Sequence, residues 1–332
     1  MSEQQNLQVR LKTRPDAVPK PSDFELVERP VPEAGQDEVV CKTLYLSLDP
    51  YMRGQINGRH ISGAIQPGEL MRGETISEVI ASQHPAFNVG DIVKHQGGWQ
   101  SYSVAKGEDL FVVDPRIEPK SLALGVLGMP GLTAYAGLNY LAEPKAGDTV
   151  LVSAASGAVG SMVGQIAKLQ GCRVVGIAGS QKKIDWLNDV AGFDGCFNYK
   201  EESPADGIKR LCPDGVDIYF DNVGGDILDA AMWQLAIGAR VVLCGLMAQY
   251  NTDVIPPGPN PATIIRARAT VRGMVVYDHF DKQDEFIDKA VDWIKNGDIH
   301  YLEDISEGLD KAPDAFCRLM HGQNFGKTLV KL

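Results

Sequence analysis

Thr149-Val150-Leu151-Val152-Ser153-Ala154-Ala155-Ser156-Gly157-Ala158-Val159-Gly160 is the stretch whose reading decides the fold. Its first four residues form an apolar run that reads as a short buried strand. Val159, Met162, Val163, Ile166 and Leu169 then recur at helical spacing, and Gly171 closes the helix. A strand that turns into a helix offers unpaired N–H groups and a positive dipole end to an anion, and glycines let the backbone approach it closely. Such a turn suits a dinucleotide pyrophosphate. The strict G-x-G-x-x-G string is incomplete, because Ala155 holds the first glycine place, so the strand before and the helix after carry the reading.

Outward from this unit the texture repeats. Candidate strands at residues 149–153, 173–178, 196–199, 216–221, 240–244 and 271–276 alternate with helical patterns, giving the six strands of a doubly wound parallel sheet. Residues 284–295 carry Phe286, Ile287, Ala290, Val291 and Ile294 on one helical face, and Asn296-Gly297 stops that helix. Before about residue 122 the chain is rich in Pro and Gly, with short alternating runs at 38–44 and 100–104 and turn signals at 88–91 and 97–98. That part reads as compact β structure. Residues 299–305 and 327–332 read as strands around a helix at 312–320, which assigns the tail to the β-rich part. The expected architecture is α/β: a dinucleotide-binding domain over residues 123–298, and a β-rich domain from residues 1–122 with 299–332. The one long unpatterned loop, residues 248–261 with Pro256-Pro257-Gly258-Pro259, is of the kind that often carries function.

The 332 residues, 44% of them hydrophobic, suffice for two cores. A net charge of -11 argues against a nucleic-acid or anionic-membrane surface and leaves small molecules as the expected partners. No apolar stretch reaches the ~20 residues of a membrane span, and residues 1–14 lack the apolar core of a signal peptide. A cytoplasmic protein is expected. The six cysteines show no C-x-x-C pair, and their apolar neighbours mark them as core fillers. No histidine stands near a cysteine in a zinc-ligand pattern, so a bound metal is not expected. Neither a G-x-S-x-G elbow nor a spaced carboxylate pair supports a hydrolase.

Where the second strand ends, an NAD site would carry an Asp or Glu for the ribose 2′-hydroxyl. Here the chain reads Gly179-Ser180-Gln181-Lys182-Lys183, which suits a 2′-phosphate, so NADP(H) is the expected cofactor. The alternative is that Lys182 and Lys183 merely solvate a first helical turn, although a helix N-terminus ordinarily favours acids. Asn222, in Asp221-Asn222-Val223-Gly224-Gly225 after the fourth strand, is placed to touch cofactor or else to make the turn. At the end of the sixth strand, backbone groups of Met274 and Val276 are placed to bind a carboxamide.

Several stretches together resemble one family: residues 46–54, with Asp49-Pro50-Tyr51-Met52-Arg53-Gly54, residues 128–135, the 155–160 loop, residues 221–225, and Asn324-Phe325-Gly326-Lys327. It is the zinc-independent branch of the medium-chain dehydrogenases/reductases, in the group of prostaglandin, alkenal double-bond and curcumin reductases. Arg72-Gly73-Glu74 stands where zinc-dependent relatives carry Gly-His-Glu. The resemblance implies a GroES-like β-rich domain, a Rossmann domain, and a cofactor in the cleft between them. It implies that Lys183 and Tyr199 hold the 2′-phosphate, with Ser180 and Gly179 nearby. Ala158 and Val159 would lie under the pyrophosphate, and Asn222 and Asn324 would hold the nicotinamide half. Tyr250 would hydrogen-bond the substrate oxygen or relay a proton, and Tyr51 would line the substrate pocket. Arg266 departs from a tyrosine of mammalian members, which implies a different substrate wall. The implied reaction is NADPH-dependent reduction of the carbon–carbon double bond of an enone or alkenal, by a homodimer paired through the Rossmann sheet edge. A quinone reductase on the same fold, or an NADPH-binding redox sensor without catalysis, are the alternative readings.

Overall fold

The computed structural model describes residues 5–252, 254 and 257–332. Residues 1–4 of the polar start, and Asp253, Ile255 and Pro256 of the long loop, lie outside the described residues. The chain divides into two compact units. One runs to Leu124 and resumes at Glu303–Leu332; the other is Gly125–Leu302.

In the first unit β1 (Gln5–Leu11) pairs antiparallel with β2 (Phe24–Pro30). A second sheet contains β3 (Glu38–Ser47), β4 (Thr75–Ser82), β5 (Ile92–His95), β6 (Tyr102–Lys106) and β7 (Phe111–Val112). Burial alternates along β5, as in a strand with one face on the core. Val39, Cys41, Val79, Val93 and Leu110 form one core of this unit.

The second unit is built on β8 (Thr149–Val152), β9 (Arg173–Ala178), β10 (Gly195–Asn198), β11 (Val216–Asp221), β12 (Leu235–Leu243) and β13 (Thr270–Gly273). These strands are parallel, in the order β10-β9-β8-β11-β12-β13, with the reversal between β8 and β11. Such a sheet is covered on both faces, so its strands read as near-continuous apolar runs. Leu151, Val175, Ile177, Phe197, Tyr219 and Val241 are accordingly buried in one cluster. After β13 the chain returns to the first unit, where β14 (Glu303–Glu307) and β15 (Lys327–Lys331) extend the sheet from β3.

Three strands differ clearly from the sequence expectation, the fifth in that it begins at Leu235 rather than at residue 240. The sixth was expected over residues 271–276 but is Thr270–Gly273. Met274 turns its N–H to the Leu243 carbonyl at 2.8 Å, and a 3-10 helix begins at Val276. A strand expected over 299–305 is instead Glu303–Glu307. Ile299 closes the helix Gln283–Asn296 through the Trp293 carbonyl, and the Gln165 amide brackets His300 through both backbone groups at 2.7 and 2.9 Å. Those bonds keep the two residues with the second unit. Apolar alternation alone does not reveal them.

Candidate active site

In an open parallel sheet, ligands bind beyond the carboxyl ends of the strands, at the reversal in strand order. At that point Ser153, just past β8, and Asp221, ending β11, join the two halves of the sheet. The Ser153 hydroxyl donates to Asp221 at 2.9 Å and accepts the Asn222 N–H at 2.8 Å. The Asn222 side-chain amide donates to the Ser153 carbonyl at 2.8 Å. Asp221, fully buried, also accepts from the Tyr219 hydroxyl and from the Val223 and Gly224 N–H groups. Burial and that carboxylate push the Tyr219 phenol well above its usual range. The turn therefore holds Asn222 rigidly, which is the turn-making role of the two its sequence position left open.

The loop after β8 crosses to β9 through the Ala155 N–H, which reaches the Ile177 carbonyl at 3.0 Å. The helix Ala158–Leu169 starts at Gly157 with no acidic residue in its first turn. The first-turn N–H groups, at Ala158 and Val159, have no intrahelical acceptor. Gly160 is required sterically, because a Cβ there would lie 2.4 Å from the Ala154 carbonyl oxygen and 2.9 Å from Ala155 Cα. Gly160→Ala is expected to cost about 1–3 kcal/mol by overpacking, read as a lowered melting temperature. An unchanged melting temperature would show that the loop yields freely.

Gly179 and Ser180 follow β9, and Ser180 caps the helix Gln181–Asp189 with extended backbone but no side-chain cap bond. That helix also has no acid in its first turn, where Lys182 and Lys183 lie. The parallel register sets Asn198 beside Ala178, and the Tyr199 N–H reaches the Ala178 carbonyl. A Cβ on Gly179 would sit 3.0 Å from the Tyr199 ring and 3.4 Å from Lys200 Cε. Lys200 Nζ lies 5.9 Å from the Tyr199 ring centroid. Gly179, Ser180 and Tyr199 thus share the edge where a 2′-phosphate was expected. Lys200 is a cation there that sequence reading passed over, although strand order alone places the residues after the third strand beside those after the second.

Beyond β12 the chain lies along the Asn222 turn. Cys244 and Gly245 donate to the Asp221 carbonyl, and Ala248 to the Val223 carbonyl at 3.0 Å. This brings the segment carrying Tyr250 to the same edge. The Tyr250 hydroxyl accepts the Leu246 N–H at 3.4 Å, and burial raises its pKa above the ordinary phenol value. Met274 is buried and Val276 half-buried, both after rather than within β13. Arg266, the departure from the mammalian tyrosine, turns its guanidinium to the Trp233 carbonyl at 2.6 Å, capping the end of the helix Gly225–Trp233.

Tyr51 and Asn324 belong to the first unit. Tyr51 precedes the helix Met52–Asn57, and its ring lies 5.0 Å from that of His60. Asn324 donates from its side chain to the Gly326 carbonyl at 2.9 Å. The cysteines are free, and burial pushes Cys41, Cys196 and Cys244 up to about 12, which makes them poor thiolates. Among the described residues no group of three or more His, Cys, Asp or Glu could hold a metal ion, and no helix is long and apolar enough to cross a membrane.

A doubly wound parallel sheet, in a chain that also carries a β-rich unit, is the architecture of the dinucleotide-dependent dehydrogenases and reductases. Two family descriptions match: "N-terminal domain of oxidoreductase" over residues 7–113 and "Zinc-binding dehydrogenase" over residues 158–296. The NADPH-dependent curcumin reductase of Escherichia coli is 41% identical, with 99% of this chain and 97% of that protein aligned. The NADP(+)-dependent 2-alkenal reductase of Nicotiana tabacum is 42% identical over 98% and 97%. A crystal structure of CurA from Vibrio vulnificus in complex with NADPH superposes with a TM-score of 0.93 at 42% identity, covering 98% of each chain. The chain belongs to the zinc-independent medium-chain dehydrogenases/reductases, in the group of the curcumin, alkenal and prostaglandin reductases.

Proposed function

We propose that this NADP-dependent oxidoreductase reduces the carbon–carbon double bond of α,β-unsaturated ketones and aldehydes. The observation that carries the reading is the shared edge of the second unit. There an acid-free helix start, the Gly179–Tyr199 cradle and the Tyr250 segment bound to the Asn222 turn line the ends of successive strands. The tobacco relative's name as a 2-alkenal reductase supports the substrate class.

In this reading the first-turn amides at Ala158 and Val159 face the pyrophosphate. Lys183, Tyr199 and Ser180 take the 2′-phosphate beside Gly179, where absence of a side chain leaves it room. Asn222, Asn324 and the backbone of Met274 and Val276 hold the nicotinamide half, and Tyr51 lines the substrate pocket. NADPH supplies a hydride to the β-carbon of the enone. Negative charge then develops on the carbonyl oxygen, and a donor already aimed at that oxygen lowers the barrier. Tyr250 is that donor. Its raised pKa keeps the phenol protonated, so it donates a hydrogen bond throughout the neutral range.

A panel of enones, alkenals and quinones assayed with NADPH and NADH tests the reading, with metal content measured on the same sample. With NADPH deuterated at C4 of the nicotinamide, saturated ketone or aldehyde products carrying deuterium at the β-carbon and a solvent proton at the α-carbon are expected. No NADPH oxidation with any of them overturns it, and a rate confined to quinones makes the protein a quinone reductase.

The protein is further proposed to be a soluble cytoplasmic homodimer paired through β13. That edge strand is largely exposed, and Val275, Tyr277 and Phe280 beside it are 38%, 42% and 52% exposed. Sedimentation velocity at micromolar concentration should give a dimer; a monomer overturns the pairing.

A further inference from the structure

Two motif segments 278 residues apart meet in one buried ion pair. β15 runs antiparallel to β3, with Leu329 opposite Ser47, and Leu48 donates to the Thr328 carbonyl at 3.2 Å. Carried on by two residues, the register sets Lys327 opposite Asp49. The Lys327 ammonium binds the Asp49 carboxylate, the Ser47 hydroxyl at 2.7 Å and the Leu48 carbonyl at 3.2 Å. Its three donors thus meet three acceptors. The Ser47 hydroxyl also donates to Asp49, and the Lys327 and Asp49 side chains are only 4% and 7% exposed.

From this pair the two strands lead to candidate site residues at the same end of the sheet. Tyr51 lies two residues after Asp49, whose carbonyl accepts the Met52 N–H at 3.1 Å as the helix Met52–Asn57 begins. Asn324 lies three residues before Lys327, across Gly326, whose left-handed backbone (φ +84°) turns the chain and whose carbonyl accepts the Asn324 amide. Two apolar side chains would fill the same volume without desolvating two ions. What the ion pair adds is direction: it fixes one strand end against the other.

We propose that Lys327 and Asp49 are positioning residues that hold Asn324 and Tyr51 at a fixed separation for hydride transfer. The proposal rests on the roles given above to Asn324 and Tyr51. It is tested by single-turnover hydride transfer, NADPH affinity and thermal melting on Lys327→Met, Asp49→Leu and the double variant. The singles should lose stability, because each leaves a buried charge unpaired. The double variant should regain its melting temperature yet transfer hydride about 10- to 100-fold more slowly, with NADPH affinity little changed. A double variant with the wild-type rate overturns the proposal. Should it fail to fold, Lys327→Arg serves the same test, since the planar fork keeps the charge but cannot meet the same three acceptors; a folded Lys327→Arg with the wild-type rate also overturns it. Asn324→Ala and Tyr51→Ala run alongside. If neither changes hydride transfer, the roles assigned to those two residues fail. If they slow it while the pair variants do not, positioning fails.

Discussion

Tyr250→Phe should lower kcat on an enone by about 100-fold while leaving NADPH affinity unchanged. The substitution removes one hydroxyl and nothing else of the ring, so packing is kept. In the structure that hydroxyl accepts the Leu246 N–H, which orients the oxygen and leaves its own proton for another acceptor. Because the hydroxyl is needed as charge develops on the substrate oxygen, its loss falls on kcat rather than KM. Burial raises the Tyr250 pKa above the ordinary phenol value, so its donating form outlasts that of a free phenol as the pH rises. The wild-type rate should therefore show no alkaline limb from this group between about pH 7 and 9. Stopped-flow oxidation of NADPH measures both effects, and an unchanged rate in Tyr250→Phe removes the residue from the chemistry.

The α/β class and the six-stranded dinucleotide sheet were legible because a parallel sheet writes itself as short apolar runs separated by helical periodicity. The first, second and fourth strands fall within a residue of their predicted bounds. Ends set by long-range bonds were not legible. The sixth strand stops at Gly273 because the chain, after a last ladder bond from Met274 to Leu243, turns into a 3-10 helix at Val276, and His300 stays with the second unit because a glutamine 135 residues earlier holds it. The same limit applies at the site. Gly179 and Asn222 follow strands and could be placed at the ligand edge from topology. The hydrogen bonds that lay the Tyr250 segment along Asp221 and Val223 could not be read. Nor could the meeting of Asp49 with Lys327, since each lies in its own motif and neither spacing refers to the other. Arg266 meets the same limit: its departure from the mammalian tyrosine was legible, but not the helix end that its guanidinium serves.

Lys183→Ala should weaken NADPH binding by roughly 10- to 100-fold and leave NADH binding unchanged. A charge-assisted hydrogen bond contributes about 1.5–3 kcal/mol, and each 1.4 kcal/mol is about tenfold. NADH lacks the 2′-phosphate, so it loses nothing. Lys200→Ala should act in the same direction but less, since Lys200 is exposed and screened by solvent. Tyr199→Phe should also be milder, since it removes a neutral donor. Lys183→Glu reverses the sign of the group, and repulsion of the phosphate should make NADH the better ligand. Salt distinguishes an electrostatic origin from a packing one: the NADPH preference of the wild type should shrink as ionic strength rises, while the Lys183→Ala variant should be less sensitive. The phosphate itself gives a pH signature, because its second proton binds near pH 6. Affinity for NADPH should fall as the pH drops through that value, and affinity for NADH should not. Fluorescence titration of both cofactors at two salt concentrations reads all of these. If Lys183→Ala binds NADPH as tightly as the wild type does, the 2′-phosphate is not held at the end of β9, and the lysines there only solvate their helix.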